Sequence, residues 1–322
     1  MTIPVVLAGS AIFSALLPVL LVLALLFDLA RRDPRLNALR LTLVLPFYFL
    51  AEAVGLSALL FSGLRHRWGS EALWASTYSI QGTWARFILG AIRIGFGLRF
   101  RIEGGELLMP GPAIVLVTHS SIVDTLLPTA LLSVPLNMRL RFVLKEELLA
   151  EPCLDVAGHR VPNCFVSRRG ENTEVEVARV AALGKGLTSN EGVLIYPEGT
   201  RFTPKKRDRT LERIGKSDPE RAARLTSIRN VLPIQPGGIL SLLEATPDAD
   251  LVIVAHAGLQ GTAEVGDLVS AGLAGRSVEL RVTRIARSTV PRDQRELLSY
   301  LDDRWLEVDA WITERLSQRS AP

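Results

Sequence analysis

The stretch Ala113-Ile-Val-Leu-Val-Thr118-His119-Ser-Ser-Ile-Val-Asp124 decides how the chain is read. A short apolar run ends in polar residues and gives way to a helical pattern, predicted over Ile122–Leu132. That is how a strand feeds a helix. The alternation repeats outward from it. Further candidate strands after Ala113–Thr118 are Leu140–Leu144, Cys164–Ser167, Gly192–Tyr196, Asp250–Ala255 and Val278–Ile285. Further candidate helices are Thr173–Thr188, Pro219–Ile228, Gly238–Glu244 and a long terminal one over Arg292–Leu316. Strands alternating with helices predict an α/β fold, a largely parallel sheet flanked by helices. We assign it to residues 98–322.

Three of these strands run into residues that carry chemistry. His119 follows the first, Arg168 and Arg169 follow Cys164-Phe-Val-Ser167, and Glu198-Gly-Thr-Arg201 follows Val193-Leu-Ile-Tyr-Pro197. An open α/β sheet binds ligands outside the carboxyl ends of its strands. If the three strands are parallel neighbours, His119, Arg168 and Glu198 share one rim. Asp124 would begin the next helix, where its carboxylate can accept a hydrogen bond from one ring nitrogen of His119. That fixes the tautomer and favours the imidazolium formed when the other nitrogen takes a proton. A base so positioned contributes about 10²–10⁴-fold, and it suits activation of an acceptor hydroxyl. His66, His159 and His256 have no such company and are read as ordinary packed residues. No Gly-x-Ser-x-Gly elbow occurs, which argues against a serine hydrolase of that type. No Walker loop or dinucleotide fingerprint occurs either.

The 322 residues leave room for one large domain and an appendage. Hydrophobic residues make up 48%, and the mean hydropathy is positive, so some apolar surface should meet lipid. The net charge of +4 suits an anionic partner: phosphate headgroups, an acidic carrier or nucleic acid. Cys153 and Cys164 show no zinc spacing and are read as buried thiols in a reducing compartment.

Pro4 to Phe27 is apolar without a charge, about the length that spans a bilayer. No basic residue precedes it and no small-residue cleavage site follows, unlike a signal peptide. Arg31, Arg32, Arg35 and Arg40 surround Pro34, and a second apolar run follows from Leu41 to Phe61, interrupted by Glu52. Residues 1–62 therefore read as a membrane-anchoring helical hairpin. Arginines flank both ends of the second run, so two full spans and a hairpin dipping into one leaflet both remain open. Residues 63–97 carry Trp74, Tyr78, Trp84, Phe87 and Phe96 among arginines, which suits an amphipathic interfacial connector and equally an ordinary helix packed on the domain.

The motif set resembles the glycerophospholipid acyltransferases, the family that includes the 1-acylglycerol-3-phosphate acyltransferases. Its blocks stand in order: His119-Ser-Ser-Ile-Val-Asp124, Phe165-Val-Ser-Arg168 and Pro197-Glu198-Gly199-Thr200-Arg201, with Lys145-Glu146-Glu147-Leu148 between the first two. The extension Arg201-Phe-Thr-Pro-Lys-Lys206 resembles the subgroup of lysocardiolipin acyltransferase. Thr118, Ile122 and Ser167 depart from the usual family residues, and Val231-Leu-Pro-Ile-Gln-Pro236 meets the fourth block only loosely. The resemblance spans Leu98 to Trp311.

It implies a membrane-bound acyltransferase that forms phosphatidate from 1-acylglycerol-3-phosphate and an acyl thioester, acyl-CoA or acyl-carrier protein. Another lysophospholipid or lipid alcohol is the alternative acceptor, and a non-catalytic lipid-binding protein is the alternative of another class. His119 would be the base and Asp124 its orienting partner. Arg168 would grip the acceptor phosphate bidentately, with Glu198, Gly199, Thr200 and Arg201 shaping the substrate site. No metal or cofactor is implied beyond the thioester co-substrate. The implied partners are membrane lipid, a lysophospholipid and the donor, and not nucleic acid. The reduced cysteines and a cytosolic donor put the active site on the cytoplasmic face of the cell membrane.

Overall fold

Apolar residues alternating in step build a single seven-stranded sheet in a computed structural model that describes residues 2–167 and 173–320. The strands are β1 (Arg99–Glu103), β2 (Ala113–Val117), β3 (Arg139–Lys145), β4 (Cys164–Val166), β5 (Glu191–Ile195), β6 (Asp250–Ala257) and β7 (Ser277–Ile285). Their order is β1-β7-β6-β2-β5-β3-β4, and every pairing is parallel except β6 with β7. The mostly parallel sheet flanked by helices is the architecture expected.

Both faces are covered, which is why β2 is buried at every position. Ala113, Val115 and Val117 enter one core with Leu194, Val252 and Val254. Ile114 and Leu116 point the other way and meet Val193, Ile195, Leu251 and Ile253. The second core is closed by α5 (Thr173–Ala182), α6 (Pro204–Ser217), α8 (Pro236–Ala245) and α9 (Gln294–Ser320), with α7 (Pro219–Arg224) packed on α6. The first core is closed by α2 (Asn37–Arg65) and α3 (Glu71–Phe96), which supply Val44, Ala51, Ile88, Leu89 and Phe96.

Two sequence expectations shift. β1 was outside the predicted strands because Arg-Phe-Arg-Ile-Glu carries charge at alternate positions, as an edge strand can. The helix predicted over Ile122–Leu132 is a 3₁₀ turn at Asp124–Leu126 followed by a π-helical turn at Pro128–Ser133. Pro128 has no N–H to donate, so an α-helix cannot run through it without losing a bond.

The chain before the sheet holds α1 (Thr2–Ala30), α2 and α3. Among the described residues, α1 and α2 are long and apolar enough to cross a membrane. Val5, Ile12, Val19, Val22 and Leu26 of α1 and Leu43, Phe47, Leu50, Val54 and Phe61 of α2 are exposed. A contiguous apolar surface of that kind points to membrane association.

Helix α2 is nevertheless held to the domain along its length. Asp28 of α1, buried, accepts from Ala38 N and Leu39 N, which ties α1 to α2 and satisfies free N–H groups of the first turn of α2. Asn37 Oδ1 accepts from Leu273 N and Ala274 N. In the middle, buried Glu52 accepts from Trp84 Nε1 (2.9 Å) and from Cys153 N (3.2 Å) at the start of α4 (Pro152–Gly158). Near its end, Arg160 Nη1 donates to Leu59 O. Cys153 and Cys164 are free and buried.

Candidate active site

Three strands at the middle of the sheet, β6, β2 and β5, are parallel to one another and bring their carboxyl ends together. His119 and Tyr196, just past β2 and β5, and His256, near the end of β6, keep the alternation of the strands. His119 follows in step with Val117, Tyr196 with Leu194, and His256 with Val254, so all three sit on the side of the N-terminal helices. The rings of His119 and Tyr196 pack against each other, tilted by 35°, with centroids 4.4 Å apart.

Asp124 reaches back to this rim from its 3₁₀ turn. Its Oδ1 lies 2.9 Å from His119 Nδ1. Its Oδ2 accepts from the backbone N–H of Ser120 and of Ser121, both at 2.7 Å, and lies 3.2 Å from His256 Nε2. Burial alone would raise the Asp124 carboxyl, but the two imidazoles outweigh it and hold the group below the usual carboxylate range. An ionised carboxylate only accepts, so His119 carries its proton on Nδ1 and leaves Nε2 as the nitrogen available for chemistry. The loop itself is tied down by Ser121 Oγ, which shares a 2.7 Å bond with Thr262 Oγ1.

Glu198 works on the backbone. It is buried, and its oxygens accept from His119 N and Leu232 N, each at 2.8 Å. Burial pushes its carboxyl well above the ordinary range, with those two N–H bonds pulling the other way. The segment it grips is fixed from behind. Asp309 of α9 accepts from the N–H groups of Arg229, Asn230 and Val231, and Trp305 Nε1 donates to Leu232 O at 3.0 Å. The terminal helix thus holds the loop that holds Glu198, and Glu198 holds His119. Phe202 N closes the frame by donating to His119 O at 2.7 Å.

His119 and Tyr196 line a cavity of about 1270 Å³, larger than the ~300–1,000 Å³ of ordinary small-molecule pockets. Its walls are mostly apolar and include Leu41, Val44 and Tyr48 of α2 and Gly82, Ile88 and Ile92 of α3. Charged residues in the lining include Arg86, Arg139, Lys145, Glu147, Glu151, Glu176 and Arg201. A His–Asp pair set in the wall of an apolar cavity can deprotonate a hydroxyl presented by a molecule with a long apolar tail. Among the described residues, no cluster of His, Cys, Asp or Glu could hold a metal ion.

Residues 99–257 match the family model described as Acyltransferase. The crystal structure of the 1-acyl-sn-glycerophosphate (LPA) acyltransferase PlsC from Thermotoga maritima superposes with a TM-score of 0.55. The two share 17% identity, over 88% of this chain and 97% of the other. The chain carries an acyltransferase-family domain over residues 99–257. No curated protein sequence matches it.

The expected site residues of this acyltransferase fall into place unevenly. His119, Asp124 and Glu198 come together as described. Gly199, at a φ of 68°, and Arg201 line the cavity, and Arg201 Nη1 donates to Ala263 O. Thr200 Oγ1 accepts from Lys206 Nζ at 3.2 Å. Arg168 lies outside the described residues. Its strand is not the neighbour of β2 that the shared-rim argument assumed: β5 and β3 intervene, so β4 stands about 14 Å along the rim at ~4.8 Å per step. Two members of the site escaped the sequence reading. Tyr196 was the last residue of a predicted strand, and His256 follows another directly. The test that picked out His119, a polar residue ending an apolar run, would have found His256.

Proposed function

We propose that the enzyme transfers a fatty acyl group from acyl-CoA or an acyl-carrier protein to the free hydroxyl of 1-acylglycerol-3-phosphate, forming phosphatidate. The observation that carries this reading is the His119–Asp124 pair in the wall of a large apolar cavity. His119 Nε2 takes the hydroxyl proton as the oxygen attacks the thioester carbonyl. The tetrahedral intermediate collapses, the C–S bond breaks, and the departing sulfur takes that proton from the imidazolium. Asp124 keeps Nδ1 protonated throughout and stabilises the transient cation. The cavity takes an acyl chain, and its volume suits that load.

Arg168 is assigned to the acceptor phosphate, a guanidinium being matched to phosphate oxygens, with Gly199, Thr200 and Arg201 around the headgroup. Residues 1–62 hold the enzyme on the cytoplasmic face of the cell membrane. Helix α2 supports that arrangement because it has two roles: its outer residues are exposed and apolar, and Leu41, Val44 and Tyr48 form cavity wall. Lipid chains then reach the site from the bilayer side, without crossing water.

The test is thiol release from oleoyl-CoA by detergent-purified enzyme, with lysophosphatidate, other lysophospholipids and no acceptor in parallel. Release should depend on lysophosphatidate and vanish in His119→Ala. Release with a different lysophospholipid alone would move the acceptor assignment. Undiminished turnover in His119→Ala would remove the mechanism.

A further inference from the structure

We propose that His256 is a positioning residue for the base: it donates from Nε2 to Asp124 and sets the orientation and charge that His119 meets. The inference rests on the reading of His119 as base. His256 belongs to none of the sequence blocks that carry the family resemblance, and it comes from β6, on the opposite side of β2 from the strand that ends in Glu198.

The geometry fixes its tautomer. His256 Nε2 lies 3.2 Å from Asp124 Oδ2 and 3.0 Å from Thr118 O, and both atoms are acceptors. Nε2 therefore carries hydrogen and is shared between them. Nδ1 is buried and, among the described residues, has no hydrogen-bond partner. A hydrogen there would be a buried unpaired donor, so the arrangement favours the Nε2–H tautomer. The ring cannot drift, because His256 N donates to Thr118 Oγ1 at 3.1 Å and the side chain is 1% exposed.

The consequence falls on Asp124. Its Oδ2 accepts from Ser120 N and Ser121 N and has His256 Nε2 3.2 Å away, which leaves Oδ1 to face His119. That division orients the carboxylate. It also spreads the negative charge over neutral donors, so His119 feels less of it. Without His256 the charge would bear more fully on the imidazolium and make His119 a stronger base. The other ionisable groups packed around the pair are Glu198 and Tyr196, with Arg86, Arg139, Lys145, Glu147, Glu151, Glu176 and Arg201 on the cavity wall. They are common to all the variants below, so a difference between those variants reports on the one bond.

The experiment is the pH–rate profile of thiol release for His256→Leu, His256→Asn and His256→Gln. The glutamine amide can reach the position of Nε2 and donate, while the asparagine amide is one methylene too short. In His256→Leu and His256→Asn, kcat should fall about tenfold with KM within about twofold, the loss of one hydrogen bond to a charged group. The acid limb of the profile should move up by about half a pH unit. His256→Gln should restore the limb and most of kcat. Equal losses in all three variants with an unmoved limb would overturn the inference and leave His256 a packing residue. So would a wild-type profile in all three. If His256→Leu does not fold, the Gln–Asn pair decides alone. Failure here is distinct from failure of the general reading, which would show as an active His119→Ala enzyme.

Discussion

Replacing Asp124 by asparagine should cost far more activity than stability, and the bonds around the carboxylate say why. Oδ2 faces three donors, Ser120 N and Ser121 N at 2.7 Å and His256 Nε2 at 3.2 Å, while Oδ1 faces only His119 Nδ1 at 2.9 Å. An asparagine has one oxygen and one NH₂. The oxygen must take the side with three donors, because an NH₂ there would meet two short backbone N–H groups head on. The NH₂ then points at His119 Nδ1, which has to become an acceptor. The His119 proton moves to Nε2, and the imidazole can no longer take a proton from a hydroxyl at that nitrogen. In a triad, the same error of tautomer costs about 10⁴-fold in kcat, or about 5.5 kcal/mol. The folded state keeps all four contacts and loses only their charge assistance, about 1–2 kcal/mol in total. Asp124→Ala would instead orphan buried donors at about 1–3 kcal/mol each and could unfold the loop. The assay pairs thiol release with thermal unfolding in the same detergent. A folded Asp124→Asn enzyme with turnover within tenfold of wild type would refute the tautomer argument.

Two further outcomes follow from buried groups and close contacts. For Glu198, the native carboxyl is raised above its unfolded value of 4.5, so between the two the native state holds more protons and stability falls as pH rises. Glu198→Gln should abolish that downward slope in melting temperature above about pH 4.5, at the expense of a lower overall melting point; an unchanged slope would count against the assignment. At Gly82, a Cβ would stand 2.6 Å from Val134 Cγ2, and both residues line the cavity. Gly82→Val should narrow it there and lower kcat/KM for the longest acyl chains relative to short ones by about tenfold or more, as a methylene-sized steric change does. A chain-length panel with unaltered preference would place the acyl chain elsewhere.

The buried strands were legible because a sheet covered on both faces needs continuous apolar runs, and β2, β5 and β6 supply them. β1 was not, since charges alternate along an edge strand. The start of α6 was legible in retrospect: Thr203 caps it by accepting from Lys206 N, and Pro204 opens it, but a Lys/Arg-rich tract can be loop as easily as helix. For the site, the His-x-x-x-x-Asp spacing reported a local contact, and local contacts survive in sequence. Glu198 is the contrary case. Its motif marked it, yet its partners are amides 79 and 34 residues away, brought together by strand order.

Strand order also explains why His256 stayed hidden while His119 did not. His119 and Asp124 are five residues apart and advertise each other, whereas His256 meets Asp124 only because β6 runs parallel beside β2. The sheet imposes one further condition on the chemistry. β6, β2 and β5 deliver His256, His119 with Asp124, and Tyr196 with Glu198 within two strand spacings of each other, about 10 Å. The end of β4 stands farther out along the same rim. A substrate that engaged both would have to be extended along the strand ends, with its reactive hydroxyl over β2 and an anionic group towards β3 and β4. The phosphate-bearing acceptor proposed above, presented lengthwise, would meet that requirement.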